Sequence, residues 1–248
     1  MIKAIIFDLD GTLADTMPDL QTAMNAMLTR LGYKTRTRAE LLMAINNGAR
    51  EFVRKSLPDQ VQGIDFIIDS AIEAYEAEYA KCYAEKSAPF DGIEALLMNL
   101  KANGIKIAVL SNKQDQFVKD IIAKLFDRKL FSHIQGQQPK LPRKPNPTAA
   151  LMIAKNMGVK PSRCLFVGDS DVDMETAKNA GMRSVGVSWG YRETSILEEA
   201  GAKFIVKSPD EIIGIVESLK DEEEKKRKTP KKKNAEQNIS GESETSQN

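Results

Sequence analysis

The hydrophobic positions of this chain follow two different patterns, and the change between them divides the sequence. A short apolar run at residues 5–7 has the length of a buried strand. Residues 15–88 then repeat apolar positions at helical spacing, and from residue 89 onward strand-length apolar runs alternate with helical segments. We therefore expect a doubly wound parallel α/β sheet formed by residues 1–14 and 89–220, interrupted after its first strand by a helical insertion of residues 15–88.

Capping signals subdivide the insertion. Thr16 with Asp19, and Thr37 with Glu40, have the spacing of capping boxes at two helix starts. A long amphipathic pattern predicts one helix over residues 64–85. The insertion is therefore expected to be helical throughout.

Short apolar runs predict the remaining strands of the sheet. They lie at residues 105–110, 131–134, 164–167, 184–187 and 204–206. A capping-box start at Ser208 predicts a last helix, which i,i+4 pairs of Glu with Lys or Arg extend toward Pro230. Residues 230–248 contain almost no apolar side chains, so we expect them to be disordered.

The composition limits the choice of partners and compartment. The 248 residues carry 36 Lys and Arg against 35 Asp and Glu, and this balance argues against a nucleic-acid or anionic-membrane partner. No apolar run is long enough to predict a membrane span. Cys82 and Cys164 lack metal-ligand spacing, which favours a reducing, cytoplasmic location. A single histidine, His133, argues against a Ser-His-Asp triad or a multi-histidine zinc site.

Two carboxylates, Asp8 and Asp10, follow the first apolar run directly. Side chains at i and i+2 of a strand share a face, so both carboxylates are expected to point into one crevice. Two carboxylates this close repel each other and lose hydration, unless a cation lies between them or one is protonated. The pair therefore indicates Mg²⁺ or a divided acid/base role.

Three further polar clusters fall at predicted strand or loop ends. They are Ser111-Asn112, Lys144 in a proline-rich loop, and the acidic segment 168–173. Because the carboxyl ends of parallel strands lie along one edge of a sheet, we expect these clusters to meet the first carboxylate pair there.

Such a set of groups suits phosphoryl transfer. One carboxylate of the Asp8/Asp10 pair can attack phosphorus, and the other can protonate the leaving oxygen and then activate water. Asp169 can hold Mg²⁺, while Lys144 and the Ser111 hydroxyl can hold the phosphoryl oxygens.

These motifs, in this order, resemble those of the haloacid dehalogenase superfamily of aspartate-nucleophile phosphatases. The shared signatures are an Asp-x-Asp-Gly-Thr loop, a strand-end Ser or Thr, a Lys and a Gly-Asp-Ser-x-x-Asp loop, over about residues 1–220. The resemblance implies that Asp8 is the nucleophile and a Mg²⁺ ligand. It implies that Asp10 is the acid/base and binds the metal through its backbone carbonyl. Asp169 would complete the metal site, with support from Asp173.

Within the superfamily, the chain is most similar to phosphoglycolate phosphatases, through residues 7–20, 47–50 and 188–191. This likeness implies a small phosphorylated metabolite as substrate, with 2-phosphoglycolate as the first choice, and a helical cap that closes over it. We expect five residues to bind the substrate: Thr12, Ser111, Asn112, Lys144 and, at the substrate carboxylate, Arg50. The tyrosines of the long helix are expected in the core of the insertion.

Other interpretations make different predictions. The related sugar-phosphate mutases carry a cap histidine in the region where this chain has Leu20, which disfavours a mutase. The segment 169–173 also resembles the start of a calcium loop, but Met174 and Ala180 replace the glycine and glutamate that such a loop needs. A phosphatase for sugar phosphates, nucleotides or pyrophosphate remains open, as does a noncatalytic protein that binds partners through the charged residues 221–248.

Overall fold

A computed structural model of the chain describes residues 1–45 and 48–228. Its strands are β1 (Ala4–Phe7), β2 (Ala14–Asp15), β3 (Ala88–Pro89), β4 (Lys106–Gln114), β5 (His133–Gln137), β6 (Cys164–Gly168), β7 (Arg183–Val187) and β8 (Phe204–Val206). Its helices are α1 (Met17–Arg30), α2 (Arg38–Ala44), α3 (Gly48–Ser56), α4 (Asp65–Cys82), α5 (Ile93–Ala102), α6 (Asp115–Leu125), α7 (Thr148–Asn156), α8 (Asp171–Asn179), α9 (Thr194–Glu199) and α10 (Glu211–Lys228). None of the helices in this range combines the length with the apolar composition that a membrane crossing requires. The predicted disorder of residues 230–248 concerns residues outside those described.

Six strands form one parallel sheet in the order β5-β4-β1-β6-β7-β8. Strand β1 lies between β4 and β6, where Ile6 pairs with both Ala108 and Phe166. All residues of β1 are buried, as expected for a central parallel strand covered on both faces. The prediction of a doubly wound α/β sheet is confirmed.

Helices cover both faces of the sheet, and successive residues of β1 enter different cores. Ile5 and Phe7 pack in the core that α5, α6 and α10 complete. Ala4 and Ile6 pack in the opposite core, with residues of α7 and α8. Because strand side chains alternate between faces, a strand with a core on each side must be apolar at every position.

The helices α1 to α4 form a block with a separate hydrophobic core, which we call the helical insert. The chain leaves the sheet domain through β2 and returns through β3, and these two strands pair antiparallel. The buried carboxylate of Asp19 accepts hydrogen bonds from the Lys86 amide, at 3.0 Å, and from the Ser87 amide and hydroxyl, at 2.8 and 2.6 Å. This one side chain therefore ties the outgoing segment to the returning segment.

Tertiary contacts overturn one of the two predicted capping boxes. The box of Thr37 and Glu40 is present at the start of α2. The predicted box of Thr16 and Asp19 is wrong: Thr16 makes no side-chain cap at α1, and its hydroxyl donates to Asp10 instead. Since Asp19 binds the returning segment, neither side chain remains available for the helix end.

Strand β4 is longer than its apolar run predicts. It continues past Leu110 to Gln114, because Gln114 pairs with Gln137 of β5 after a shift in register. Ser111 and Asn112 therefore lie within the strand and not behind its end. The first helical residue after β4 is Asp115, so neither of these two side chains caps α6.

Candidate active site

The sheet topology brings the predicted polar clusters to one edge. Asp8 and Asp10 follow β1, Ser111 lies in the second half of β4, and Asp169 follows β6. These three strands are neighbours in the sheet. Lys144 reaches the same edge from the loop between β5 and α7. Residues distant in sequence therefore form one cluster at the carboxyl ends of the strands.

Lys144 joins two carboxylates at the centre of this cluster. Its Nζ lies 3.0 Å from Oδ1 of Asp8 and 2.6 Å from Oδ1 of Asp173. Asp8, Asp169 and Asp173 are all buried, and their carboxylate oxygens lie within 4.8 Å of one another. One ammonium group therefore faces three buried carboxylates, which leaves the cluster short of positive charge.

Burial sets the ionisation of these groups. Burial, opposed by Lys144 and reinforced by Asp173 and Asp10, raises the pKa of Asp8 to about 7. Burial, together with the charges of Asp173 and Asp8, raises the pKa of Asp169 well above its usual range. Burial alone would lower the pKa of Lys144, but Asp173 and Asp8 raise it above its ordinary value. The lysine therefore stays protonated, while Asp8 and Asp169 resist ionisation unless another cation joins them.

The donor set of the cluster fits a hard divalent cation such as Mg²⁺. Such an ion prefers a few carboxylate oxygens completed by water, and Asp8, Asp169 and Asp173 supply carboxylate oxygens at mutual distances that one ion can bridge. The raised pKa values of Asp8 and Asp169 have the same physical origin, namely burial without enough countercharge. The residues that the sequence predicts as metal ligands are thus brought together, and Asp10 adjoins them.

Asp10 is held by groups from two other elements. The hydroxyl of Thr16 donates a hydrogen bond to Oδ1 of Asp10, and Nζ of Lys113 in β4 lies 2.8 Å from the same oxygen. Both contacts use Oδ1, so they orient the carboxyl group through one oxygen. Sequence reasoning missed both partners, because the spacing of Thr16 and Asp19 favours a helix cap and Lys113 is marked only by its place after Asn112.

Asp169 is fixed by hydrogen bonds to both carboxylate oxygens. The Thr12 hydroxyl donates to Oδ1 at 3.2 Å, and the Tyr191 backbone amide donates to Oδ2 at 2.8 Å. Gly11 and Gly190 approach so closely that a Cβ at either position would overlap the Asp169 side chain. Thr12, predicted to bind substrate, therefore contacts a predicted metal ligand in this structure.

The predicted Ser111-Asn112 pair lines the pocket described below, and Asn112 also holds the loop that carries Lys144. The Asn112 side-chain amide donates to the Lys144 carbonyl at 3.1 Å, and its oxygen accepts from the Lys144 amide at 2.9 Å. These two bonds fix the backbone of the loop that carries Lys144. The Ser111 hydroxyl oxygen accepts from the Lys113 amide at 3.2 Å.

Asp173 is oriented by the start of its own helix. Its Oδ2 accepts from the Ser170 amide at 3.2 Å and from the Ser170 hydroxyl at 2.6 Å, which closes a capping box at α8. The other carboxylate oxygen is then directed to Lys144. A local helix signal therefore positions a residue of the site.

A pocket with a cavity volume of about 70 Å³ separates the sheet edge from the helical insert. Asp8 and Lys144 line it on the sheet side, and Leu20, Phe52 and Tyr79 line it on the insert side. Tyr79 also belongs to the core of the insert, as the sequence predicts, so the same ring serves the core and the pocket.

Arg50 is not brought to this pocket. Its guanidinium group pairs with Asp69 and, at 2.7 Å, with Asp65, and both partners are in α4. The residues that line the pocket in the described part of the chain do not include Arg50. Its contacts therefore join α3 to α4, and its role at the substrate carboxylate stays a prediction.

Comparison with known proteins connects this geometry to a family. A family model described as haloacid dehalogenase-like hydrolase matches residues 5–187. Phosphoglycolate phosphatase 1 of Pseudomonas aeruginosa is 35% identical over 202 residues, which cover 80% of this chain and 74% of that protein.

Solved structures give the same result for the fold. A predicted phosphoglycolate phosphatase from Haemophilus somnus superposes with a TM-score of 0.80 at 26% identity, covering 87% of this chain and 98% of its own. A β-phosphoglucomutase from Clostridium difficile superposes with a TM-score of 0.72 at 25% identity, covering 90% of this chain and 99% of its own. The resemblance predicted from the motifs is confirmed, and the chain belongs to the haloacid dehalogenase-like hydrolases.

Proposed function

We propose that this chain is a Mg²⁺-dependent phosphatase that hydrolyses small phosphate monoesters, with 2-phosphoglycolate as the preferred substrate. The observation that carries the proposal is the buried cluster in which Lys144 contacts Asp8 while Asp169 and Asp173 lie within metal-bridging distance. This cluster joins a nucleophile, a fixed cation and metal ligands, and its members Asp8 and Lys144 line the pocket.

The proposed reaction divides hydrolysis into two steps at Asp8. Its carboxylate attacks phosphorus, the bond to the ester oxygen breaks, and Asp10 gives its proton to the departing oxygen. In the second step Asp10 takes a proton from water as the water oxygen attacks phosphorus, which releases phosphate and restores the Asp8 carboxylate.

The neighbouring groups have defined roles in this reaction. Thr16 and Lys113 hold Oδ1 of Asp10, which directs the remaining oxygen to proton transfer. Lys144 offsets negative charge at Asp8 and on the transferred phosphoryl group. Asp8, Asp169 and the Asp10 carbonyl, with Asp173 in support, would hold Mg²⁺, which would supply further positive charge at the phosphoryl oxygens.

The choice of substrate rests on two observations. Relatives about one-third identical over most of the chain are named phosphoglycolate phosphatases. Leu20, in the region where the related mutases carry a histidine, lines the pocket as an apolar side chain and offers no proton-transfer group there.

A substrate panel tests the proposal directly. Phosphate release is measured from phosphoglycolate, hexose phosphates, nucleoside monophosphates and pyrophosphate, with Mg²⁺ and with EDTA. We expect Mg²⁺-dependent release with the highest kcat/KM for phosphoglycolate. A higher value for another ester would reassign the substrate within the same chemistry, whereas no release from any ester would contradict the phosphatase itself. The noncatalytic alternative, in which the protein binds partners through residues 221–248, predicts that no ester releases phosphate. The cytoplasmic location stays a prediction from the sequence.

A further inference from the structure

The geometry points to a second anion subsite in the pocket, where the Lys113 ammonium and the Tyr79 hydroxyl bind the carboxylate of the substrate. This inference rests on the proposed function and names the groups that would select phosphoglycolate over esters without a carboxylate. It assigns to Lys113 and Tyr79 the role that the sequence predicts for Arg50, which pairs with Asp65 and Asp69 instead.

Tyr79 carries an unusual polar group for a residue of the insert core. The side chain is 2% exposed and lines the pocket, and its hydroxyl has no hydrogen-bond partner among the residues that the structure describes. A buried hydrogen-bond donor without a partner is unfavourable. A ligand oxygen that accepts a hydrogen bond from it therefore gains binding free energy. Burial also raises the pKa of Tyr79 well above its usual range, which keeps the hydroxyl protonated as a donor.

Lys113 places its ammonium group over the face of the Tyr79 ring. Its Nζ lies 4.9 Å from the centroid of the Tyr79 ring and 2.8 Å from Asp10, and its side chain is only 9% exposed. An ammonium group has three N–H donors, and the contact with Asp10 engages one carboxylate oxygen. Lys144, the other lysine of the pocket, already contacts two carboxylates, Asp8 and Asp173. Lys113 therefore has more remaining capacity for a ligand anion.

The residues around Lys113 strengthen an ion pair between its ammonium group and a substrate carboxylate, and they limit where in the pocket that carboxylate binds. Phe52 and Phe117 are among the pocket residues, and apolar walls of this kind reduce the competition from water. Glu76 also lines the pocket, and it would repel a carboxylate placed beside it. A second anionic group is therefore best received at Lys113 and Tyr79.

The two proposed groups come from different parts of the molecule. Tyr79 belongs to α4 of the helical insert, whereas Lys113 belongs to β4 of the sheet. A substrate carboxylate that binds both would contact insert and sheet together, and Lys113 would connect it to the acid/base residue Asp10. Recognition of the carboxylate is thereby placed next to the reacting phosphate.

Two esters that differ in one group test the subsite. Ethyl phosphate has a methyl group where phosphoglycolate has its carboxylate, so the ratio of their kcat/KM values measures recognition of that group. We expect wild-type protein to prefer phosphoglycolate, and Tyr79→Phe to lower the ratio about tenfold by raising KM for phosphoglycolate. Lys113→Met is expected to lower the ratio further. The matched controls are Tyr83→Phe and Lys119→Met, neither of which lines the pocket.

The outcomes separate the subsite from the phosphatase. If wild-type protein hydrolyses neither ester with Mg²⁺, the proposed function fails. If it hydrolyses both with equal kcat/KM, or if Tyr79→Phe leaves the ratio at the wild-type value, the phosphatase stands and the subsite is overturned. A structural role of the Tyr79 hydroxyl would lower the melting temperature and affect both esters equally. Our account predicts a melting temperature at or above that of wild type, because the substitution removes an unpaired buried group.

Discussion

Lys144 is the residue on which the charge balance of the buried site depends. Its side chain is 3% exposed and contacts Asp8 and Asp173. Removing one member of such a buried group leaves uncompensated charge in a poorly hydrated environment. The same contact that supports the proposed chemistry therefore contributes to the stability of the fold.

We expect Lys144→Met to lower the free energy of unfolding by about 3–5 kcal/mol at neutral pH, because it leaves the facing carboxylates without their cation. Urea denaturation without added metal measures this loss. The double variant Lys144→Met/Asp173→Asn should recover part of the stability, since one of the buried charges is also removed. An equal loss in both variants would show that packing, and not charge, accounts for the effect.

The ionisation of Asp8 gives a prediction about Mg²⁺ and pH. Burial raises its pKa to about 7 without metal, so at lower pH the folded protein holds a proton that Mg²⁺ must displace. Competition with this one proton weakens Mg²⁺ binding about tenfold at pH 6 relative to pH 8, and a proton held by Asp169, whose pKa is also raised, adds to the ratio. The Mg²⁺ dependence of the melting temperature, fitted at both pH values, measures this ratio. Equal affinities would mean that Asp8 is already ionised at pH 6.

Sequence reasoning reaches some residues of the site and misses others for a physical reason. Asp8, Lys144 and Asp169 belong to motifs whose charged groups lie at strand or loop ends, so the fold alone implies their convergence. Lys113 and Tyr79 carry no such signal. The place of Tyr79 in the pocket depends on how the insert packs against the sheet, and that of Lys113 depends on the extension of β4 past its apolar run, so no local pattern contains this information.

At the scale of elements, one short segment connects the site to both parts of the molecule. We call residues 188–192 the strap. The Trp189 indole donates to the Thr12 carbonyl at 3.1 Å, and the Tyr191 amide donates to Asp169 at 2.8 Å. The Arg192 guanidinium donates to the carbonyls of Leu42 and Ile45 at the end of α2. The strap therefore contacts the first motif, a predicted metal ligand and the helical insert.

Tyr191 within the strap supports the start of α1. Its hydroxyl accepts from the amides of Thr16 and Met17, at 2.9 and 3.0 Å, and lies 3.0 Å from Oδ1 of Asp15. A helix start leaves its first amides without partners in the helix, so a foreign acceptor is needed there. This tyrosine thus replaces the cap that the spacing of Thr16 and Asp19 predicts.

We expect Tyr191→Phe to lower the free energy of unfolding by about 1–3 kcal/mol, because amides at a buried helix start lose their acceptor. Urea denaturation measures the change. Tyr33→Phe serves as the matched control, because Tyr33 is also partly buried against the core of the insert. A Tyr191→Phe protein as stable as its control would contradict the role given to this hydroxyl.

Strand boundaries show where local prediction ends. The run 204–206 is recovered as β8, and its three residues pair parallel with β7. Strand β4 continues through polar residues because its neighbour β5 supplies hydrogen bonds as far as Gln114. Polar residues at a sheet edge are therefore assigned correctly only when the partner strand is known.

At the scale of the whole molecule, the hydrophobic pattern is sufficient for the architecture. The strand-length apolar runs form the sheet, and helical segments between them cover its two faces. The hydrophobic pattern does not predict the shape of the pocket between the sheet and the insert. Its shape depends on side chains from both parts, which is why the chemistry is predicted from sequence more readily than the substrate.

The central claim is that Asp8 is the nucleophile of a Mg²⁺-dependent phosphatase. The most direct test compares kcat for phosphate release in wild-type protein, Asp8→Asn and the control Asp171→Asn, with Mg²⁺ and with EDTA. Asp171 lies in the same acidic segment as Asp169 but outside the cluster of Asp8, Asp169 and Asp173. We predict that Asp8→Asn lowers kcat by a factor on the order of 10⁴, that EDTA abolishes wild-type release, and that Asp171→Asn retains it. Full Mg²⁺-dependent release by Asp8→Asn would contradict the account.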